Sequence, residues 1–492
     1  MSNTDNELAQ VAAVIVLAAG GGTRMKSKTS KLLHEVAGKP MLSFAVSAAA
    51  ALDPERLVVV VGHQREEVVA HLEQLSEQLT TAVQEEQLGT GHAVECGLAG
   101  LGDIEGDIVV TYADVPMLAG ETLRQLVAVH RGRRNAVTVM TSRVEDPTGY
   151  GRIIREDDEV AGIVEDRDAT EEQRAITEIN SGIYVFDAAS LREGLASLKT
   201  DNDQGERYLT DVVKFCHERS QRVGAHLVDD VWQTEGVNDR IQLARINQEM
   251  QRRIRDSWML KGVTMIDPAS TFIDVDVDLA PDVLLNPGVI LMGATTIGEG
   301  AIIGPDSSLM DVEVGPGAEV IRTHGSFAVI GEGATVGPFA YLRPGTILGD
   351  DGKIGSFVET KNAQIGAGTK IPHLSYVGDA IVDEGANIGA GTIFANYDGV
   401  HKSTTHVGKA AFVGSNSVLV APVDVGAGAL VAAGSTITDD VPAGALGVAR
   451  GRQRNVEGWM TRGRPDSKQA AAAAESDGTI HPAVIESREK KA

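Results

Sequence analysis

From residue 407 onward the chain repeats itself every six residues. Val407, Val413, Leu419, Val425, Val431 and Ile437 stand six apart, and four places after each comes Ala411, Ser417, Val423, Ala429, Ser435 or Val441. An earlier run, Ile330, Val336, Leu342, Leu348 and Ile354, is likewise followed four residues later by a small or β-branched residue. A period of six, aliphatic at one place and small at another, marks a parallel β-helix in which each hexad is one short strand and a corner. The interior of so narrow a prism admits only aliphatic and small side chains. That accounts for 55 glycines beside an aromatic content of 4%. Neighbouring turns are expected about 4.8 Å apart.

A chain of 492 residues is too long for one core, and before about Ile266 its grammar is different. From Val11 to about Gly236, short aliphatic runs alternate with polar, helix-like stretches. The strand candidates are Val14 to Leu17, Leu57 to Val61, Ile108 to Thr111, Ala136 to Thr141 and Ile183 to Phe186. This pattern predicts a mainly parallel α/β sheet with ligands at the carboxyl ends of its strands. The first strand stops in Gly20, Gly21 and Gly22 and then turns cationic, with Arg24, Lys26, Lys28 and Lys31. It has neither the Gly-Lys-Ser/Thr ending of a Walker loop nor the Gly-x-Gly-x-x-Gly of a dinucleotide fold. A glycine cluster alone is an ordinary turn. Four cations in eight residues, in a chain of net charge −25, point instead to an anion.

Three further stretches fall at strand ends. Gln84-Glu-Glu-Gln-Leu-Gly-Thr-Gly-His-Ala93 offers amide and backbone hydrogen bonds suited to a nucleobase edge, or simply opens a helix. Asp114, in Tyr112-Ala-Asp-Val-Pro116, and Asn238, in Glu235-Gly-Val-Asn238, are either helix caps or oxygen ligands for a magnesium ion.

The net charge and a pI near 4.9 argue against a nucleic-acid or anionic-membrane surface, so a polyanionic substrate needs a local cationic pocket and a divalent metal. Cys96 and Cys216 show no metal-ligand spacing, which fits a reducing compartment. The N-terminus is polar and acidic and no apolar run reaches membrane-spanning length, so a cytoplasmic location is expected. Ile241, Ala244, Met250, Ile254 and Trp258 recur near helical spacing and predict an amphipathic connecting helix. The final stretch, with five alanines and no apolar period, reads as a disordered tail. The expected division is therefore an extension over 1–10, domains over 11–236 and 266–460 joined by 237–265, and a tail over 461–492.

Leu17-Ala-Ala-Gly-Gly-Gly-Thr-Arg-Met25 resembles the loop of sugar-phosphate nucleotidyltransferases. Gly149-Tyr-Gly-Arg-Ile153, Ile163-Val-Glu165, Asn180-Ser-Gly-Ile-Tyr184 and Tyr208-Leu-Thr-Asp211 extend the likeness to the uridylyltransferase domain that makes UDP-N-acetylglucosamine. The resemblance implies a Rossmann-like domain in which Leu17, Ala18, Ala19, Gly20, Lys31, Gln84, Gly89, Thr90, Tyr112, Ala113, Asp114, Gly151, Glu165, Asn180 and Asn238 hold UTP or UDP-N-acetylglucosamine. It implies also that Asp114 and Asn238 bind Mg²⁺ and that Arg24 and Lys31 face the phosphates. Ser30, where the family has proline, and Ala113, where it has glycine, depart from the pattern. The second is expected to add a methyl group beside the metal. A sugar phosphate is already a nucleophilic anion near neutral pH, so its attack on the α-phosphorus of UTP needs positioning and charge dispersal rather than a general base.

In the repeat region Arg343 and Lys361 are eighteen residues apart and should project from adjacent turns at nearly the same place, as two stacked cations that need an anion between them. His373 is third in the hexad Ile371-Pro-His-Leu-Ser-Tyr376, whose first and fifth positions face inward, so it points outward and is a candidate base. With Asn387 and Asn396-Tyr-Asp-Gly399 followed by Lys402, this set resembles the glucosamine-1-phosphate acetyltransferase domain. By that resemblance the coil is left-handed with three hexads per turn. Arg343, Lys361, Tyr376 and Asn387 hold the sugar phosphate and His373 takes the proton from its amine. Ala390, Asn396, Tyr397, Lys402, Ser415, Ala433 and Arg450 meet acetyl-CoA, and the chain assembles as a homotrimer. The span Val11 to Trp459 as a whole resembles the bifunctional N-acetylglucosamine-1-phosphate uridylyltransferase / glucosamine-1-phosphate N-acetyltransferase family. The rival readings are a single-activity nucleotidyltransferase with a regulatory or oligomerising coil, and a non-catalytic module of the kind found in translation exchange factors.

Overall fold

A computed structural model describes residues 10–490 except 63, 64, 77, 157, 158, 201, 203 and 204. Its N-terminal half is built on a nine-stranded sheet whose main path runs Val223–Leu227, Val137–Arg143, Glu178–Asp187, Asp107–Tyr112, Ala13–Ala18, Arg56–Val61, Leu79–Val83. Along this path only Glu178–Asp187 runs against its neighbours; the hairpin Arg152–Glu156/Glu159–Val164 hangs from it. The central strand Ala13–Ala18 is aliphatic throughout because both its faces are covered. Ile15 and Leu17 enter the core on one side, Val14 and Val16 that on the other. The parallel strands all end along one edge. The reversed strand delivers its own beginning, Asn180, to that same edge.

The C-terminal half is a parallel β-helix. Successive rungs pair in parallel at steps of 16 to 18 residues along most of its length, as in Leu284↔Ile302, Ile302↔Glu319, Glu319↔Thr335 and Thr335↔Lys353. The inward positions read from the repeat are all buried, from Val407 and Ala411 to Ile437 and Val441. They form one continuous core from Val263 to Val441. Several polar residues at the fifth position are satisfied inside: the Thr346 and Thr360 hydroxyls pair at 2.9 Å, and the Ser417 hydroxyl donates to the Gly414 carbonyl at 2.6 Å, whereas the buried Thr405 hydroxyl has no hydrogen-bond partner among the described residues.

The connecting helix is Arg240–Leu260, capped by the Asp239 carboxylate, which accepts from the Ile241 and Gln242 amides at 2.9 Å. Its buried face differs from the one expected. Ile241 is 68% exposed and Ala244 is exposed, while Ile246 is sealed against Val36, Met41, Met117 and Val237. The reason is a change of partner midway. The first half of the helix packs on the sheet domain, and Ile254, Trp258 and Met259 pack on the first turns of the coil. At the junction Gln251 exchanges two hydrogen bonds with the Ile273 backbone, at 2.8 and 2.9 Å.

The tail also departs from expectation, carrying short helices at Trp459–Gly463, Lys468–Glu475 and Pro482–Glu489. Alanine has the highest helix propensity, and Ser467 caps the five-alanine run by accepting from the Ala470 amide at 3.1 Å. Apart from Ala470 almost nothing in these helices is buried.

Candidate active sites

At the carboxyl edge of the sheet two adjoining pockets, of about 250 and 440 Å³, share Thr90, Tyr112, Asp114 and Glu206. The smaller is lined by Leu17, Ala18, Ala19, Gly20, Lys31, Gln84 and Gly89, among others. The larger includes Arg24, Gly151, Glu165, Asn180 and Asn238. Every residue expected here from the sequence faces this cleft except Ala113. Strand alternation sends Tyr112 and Asp114 into the cleft and the Ala113 methyl into the sealed core behind the sheet. The methyl group expected beside the metal is therefore not there.

Lys31 reaches across 83 and 207 residues of sequence to two oxygen donors. Its ammonium lies 2.5 Å from Asp114 Oδ2 and 3.2 Å from Asn238 Oδ1. Asn238 is brought to Asp114 because the Val237 amide donates to the Asp114 carbonyl at 2.9 Å. Gly22, at φ +56°, leaves the room that Lys31 occupies: a Cβ there would stand 2.7 Å from Lys31 Cβ. The cationic loop is tied down in turn by Arg240, whose Nε donates to the Met25 carbonyl at 3.1 Å. A carboxylate and an amide oxygen already holding one cation are donors that suit a hard divalent ion. No cluster of three or more His, Cys, Asp or Glu able to hold a metal occurs among the described residues. The remainder of a coordination shell here would come from phosphate and water, as magnesium favours.

Around the larger pocket, burial pushes the Glu165 carboxyl above its ordinary range; the Thr210 hydroxyl, at 3.3 Å, only partly opposes this and the neighbouring acids Asp168 and Asp211 add to it. Burial likewise raises the Tyr112 phenol, so it remains a hydrogen-bond donor. Asn180 Oδ1 accepts from Tyr184 Oη at 3.0 Å and the Gly182 amide at 2.9 Å.

On the coil, the register places Leu342 beside Thr360 and Lys361 beside Gly378, so Arg343 and Lys361 project from adjacent turns as expected. Arg343 is engaged by Glu359 at 2.8 Å. Lys402, grouped from the sequence with the acetyl-CoA residues, stands beside Lys361. Its hydrogen-bond contact and charge together hold the Lys361 ammonium below its ordinary pKa. Lys402 arrives there because the chain between Ala395 and Thr405 loops out of the coil and closes on itself through the bridge Tyr397↔Lys402. Asn396 anchors the loop, donating to Asp379 at 2.5 Å. Burial would raise Asp379, but the Asn362 and Asn396 amides and the charges of Lys361 and Lys402 outweigh it and leave the carboxyl below its usual value. The Tyr376 ring folds back over Gly378, where a Cβ would meet its hydroxyl at 2.3 Å.

His373 is outward and exposed between buried Ile371 and Ser375. Leu374, at φ +52°, turns the chain through a corner between His373 and Tyr376. Ser356 pairs with His373. The Gly391 amide donates to the His373 carbonyl, Asn416 to Ala390 and Gly434 to Ser415, which sets His373, Ala390, Ser415 and Ala433 one above another on successive turns. Arg450 closes this column, its guanidinium donating to the Ala433 carbonyl at 2.7 Å. Tyr397 is 58% exposed, its hydroxyl donating to the Gly399 carbonyl at 2.6 Å. Asn387 stands apart, on the column of Lys370 and Phe412.

Residues 13–243 match the nucleotidyl transferase family model, and residues 327–362 the bacterial transferase hexapeptide model of six repeats. A bifunctional protein GlmU of Rhodococcus opacus strain B4 is 55% identical over 488 residues, 97% of either chain. One from Mycolicibacterium gilvum is 56% identical over 468 residues, 94% of either chain. One from Corynebacterium aurimucosum is 52% identical over 469 residues, 94% of this chain and 96% of its own. The chain belongs to the GlmU family. As a GlmU it carries both activities expected from the sequence, uridylyl transfer and acetyl transfer, and neither rival reading stands.

The structure adds residues that the sequence reading left out. Gln87 donates to the Ala19 carbonyl at 2.7 Å, and Glu206, Tyr208 and Thr210 line the larger pocket. Gln87, Tyr208 and Thr210 stood inside stretches already singled out, but short motifs do not say which side chain faces a ligand. Glu359 and Asp379 were visible only as outward acids in their hexads. What gives them meaning is the neighbouring turn.

Proposed function

We propose that this protein acetylates glucosamine-1-phosphate with acetyl-CoA on its coil and joins the product to UTP in its sheet domain, releasing pyrophosphate and UDP-N-acetylglucosamine. Arg343, Lys361 and Lys402 receive the sugar phosphate, with Tyr376 beside them. Three cations converging on one place, on a chain this acidic, is the observation that carries the reading. His373 takes a proton from the substrate ammonium, freeing the lone pair that attacks the thioester carbonyl. The column from His373 to Ala433, about 14 Å over three turns, presents small side chains along which the thin arm of acetyl-CoA lies. Asn396 and Tyr397 flank it and Arg450 faces its phosphates. Asn387 stands on another column of the coil, with Lys370 and Phe412, which favours a trimer whose neighbouring copies complete the site.

In the sheet domain Gln84, Gly89 and the strand end Leu17 to Gly20 take the nucleotide, and Gly151, Glu165 and Asn180 the sugar. Asp114 and Asn238 would hold Mg²⁺, which when bound neutralises phosphate charge in the transition state. Arg24 and Lys31 set the two phosphate-bearing substrates in line for attack. The test follows thiol release from acetyl-CoA with glucosamine-1-phosphate, and pyrophosphate release from UTP with N-acetylglucosamine-1-phosphate. His373→Ala is expected to lower the first by about 10²- to 10⁴-fold and leave the second intact. A chelator should stop the second alone. Thiol release undiminished in His373→Ala would remove its role as base.

A further inference from the structure

From Gln84 in the lining of the smaller pocket a relay runs back to His92 and Cys96, two side chains that the uridylyl reaction as described leaves unused. Gln84 is 97% buried, being 3% exposed, and its Nε2 lies 3.1 Å from the Gly89 carbonyl and 3.2 Å from His92 Nδ1. A carbonyl oxygen only accepts hydrogen bonds, so the Gln84 atom facing it is the NH₂ group, whichever way the amide is drawn. The second hydrogen of that NH₂ points to His92 Nδ1, which must therefore be an unprotonated acceptor. The ring proton then sits on Nε2, and Nε2 lies 3.7 Å from Cys96 Sγ. Burial, first, and the Glu95 carboxylate, second, raise the Cys96 thiol, so its sulfur remains a neutral partner. Both hydrogens of the Gln84 amide are thus used inside the protein. Only Oε1 is left for the pocket, as an acceptor.

We infer that His92 is a positioning residue for base choice: by taking the second amide hydrogen of Gln84 it fixes Oε1 toward the pocket, where it selects uracil over cytosine. The inference rests on Gln84 meeting the base, as proposed above. Uracil carries one hydrogen-bond donor on its pairing edge, N3–H, and an acceptor Oε1 matches it. Cytosine has a bare N3 acceptor at the same place, which would face Oε1 lone pair to lone pair. With His92 removed, one amide hydrogen is released. Rotating the amide to offer NH₂ to cytosine then breaks one hydrogen bond rather than two.

The test measures pyrophosphate release with UTP and with CTP, each with N-acetylglucosamine-1-phosphate, for the wild type, His92→Leu and His92→Gln. The wild type should prefer UTP. In His92→Leu the UTP-to-CTP ratio of kcat/KM should fall about tenfold, chiefly through a lower KM for CTP, because turning the amide toward cytosine then breaks one hydrogen bond fewer, a saving on this order. His92→Gln, whose side-chain oxygen can accept from the same NH₂, should return the ratio to within about threefold of the wild type. A role in packing alone would lower turnover of both nucleotides together and leave the ratio where it was; that result, or failure of His92→Gln to restore the ratio, overturns the inference. Should His92→Leu not fold, the His92→Gln ratio decides alone: a fall of tenfold there refutes the relay. Absence of UTP turnover in the wild type would instead strike the uridylyl reading beneath it.

Discussion

Replacing Lys31 by methionine should move two properties of the sheet domain in opposite directions. The Lys31 ammonium sits 2.5 Å from Asp114 and 3.2 Å from Asn238, in the place a divalent ion would take. A metal arriving alone must first displace it. The Lys31 side chain is only 9% exposed and the Asp114 side chain 19%, so the contact is partly desolvated. A hydrogen bond between charged groups contributes about 1.5–3 kcal/mol net, which corresponds to about 10- to 100-fold in a binding constant. Lys31→Met should therefore bind Mn²⁺, an ion of similar oxygen preference, about 10- to 100-fold more tightly than the wild type when nucleotide is absent. Calorimetric titration, or the loss of the free Mn²⁺ resonance, measures this directly. With UTP present the gap should narrow, because the phosphates draw Lys31 away from Asp114 in the wild type. Uridylyl turnover should meanwhile fall, since a cation that faces the phosphates is lost. Unchanged or weaker Mn²⁺ binding in Lys31→Met, with Asp114→Asn abolishing it in both backgrounds, would refute the idea that the ammonium occupies the metal position.

Glu165→Gln should raise the thermal midpoint at pH 7 to 8 while raising KM for the sugar phosphate. The carboxyl titrates higher in the folded protein than unfolded. Folding is therefore opposed at pH values above its folded pKa, and the advantage of glutamine should fade as the pH falls through that value toward 4.5. Leu419→Ala, at a fully buried rung, should cost about 2–5 kcal/mol by urea denaturation, whereas Leu430→Ala, 45% exposed on the outside of the coil, should cost far less. Ser30→Pro should stabilise by about 0.4–1 kcal/mol. Ser30 already has φ −52°, close to the value proline imposes, and its amide makes no backbone hydrogen bond among the described residues. A melting curve for each variant settles the sign.

The coil is legible in the sequence because its period is local: six residues fix which side chain turns inward, and no distant partner is needed to decide it. The sheet strands are legible for the same reason, as aliphatic runs covered on both faces. What escapes is whatever depends on a second element. The connecting helix has no single apolar face, since its two halves serve different domains, so Ile246 was hidden and Ile241 misleading. Ala113 was read beside a metal because its neighbour Asp114 is there, yet alternation along the strand end turns its methyl away. Lys402 was assigned by motif to acetyl-CoA, and only the closure of its loop carries it to Lys361. The Arg343–Lys361 stack was legible because eighteen residues is close to one turn, a distance the repeat itself supplies.

The departure at Asn387, which pairs with Phe412 a full 25 residues on, while Phe412 pairs with Leu430 after 18, says something about how such a coil can change. Its frame tolerates small deficits. A turn can shed a residue or two at its corners and keep its inward side chains inward, as the steps of 16 and 17 show, but the extra residues beyond Asn387 are too many for a corner and leave the frame in phase only as an extruded loop. The surplus between Ala395 and Thr405 was extruded, and it is this extrusion that brings Asn396, Tyr397 and Lys402 to the chemistry. In a fold whose regular turns leave so little room for surplus chain, novelty accumulates in the interruptions.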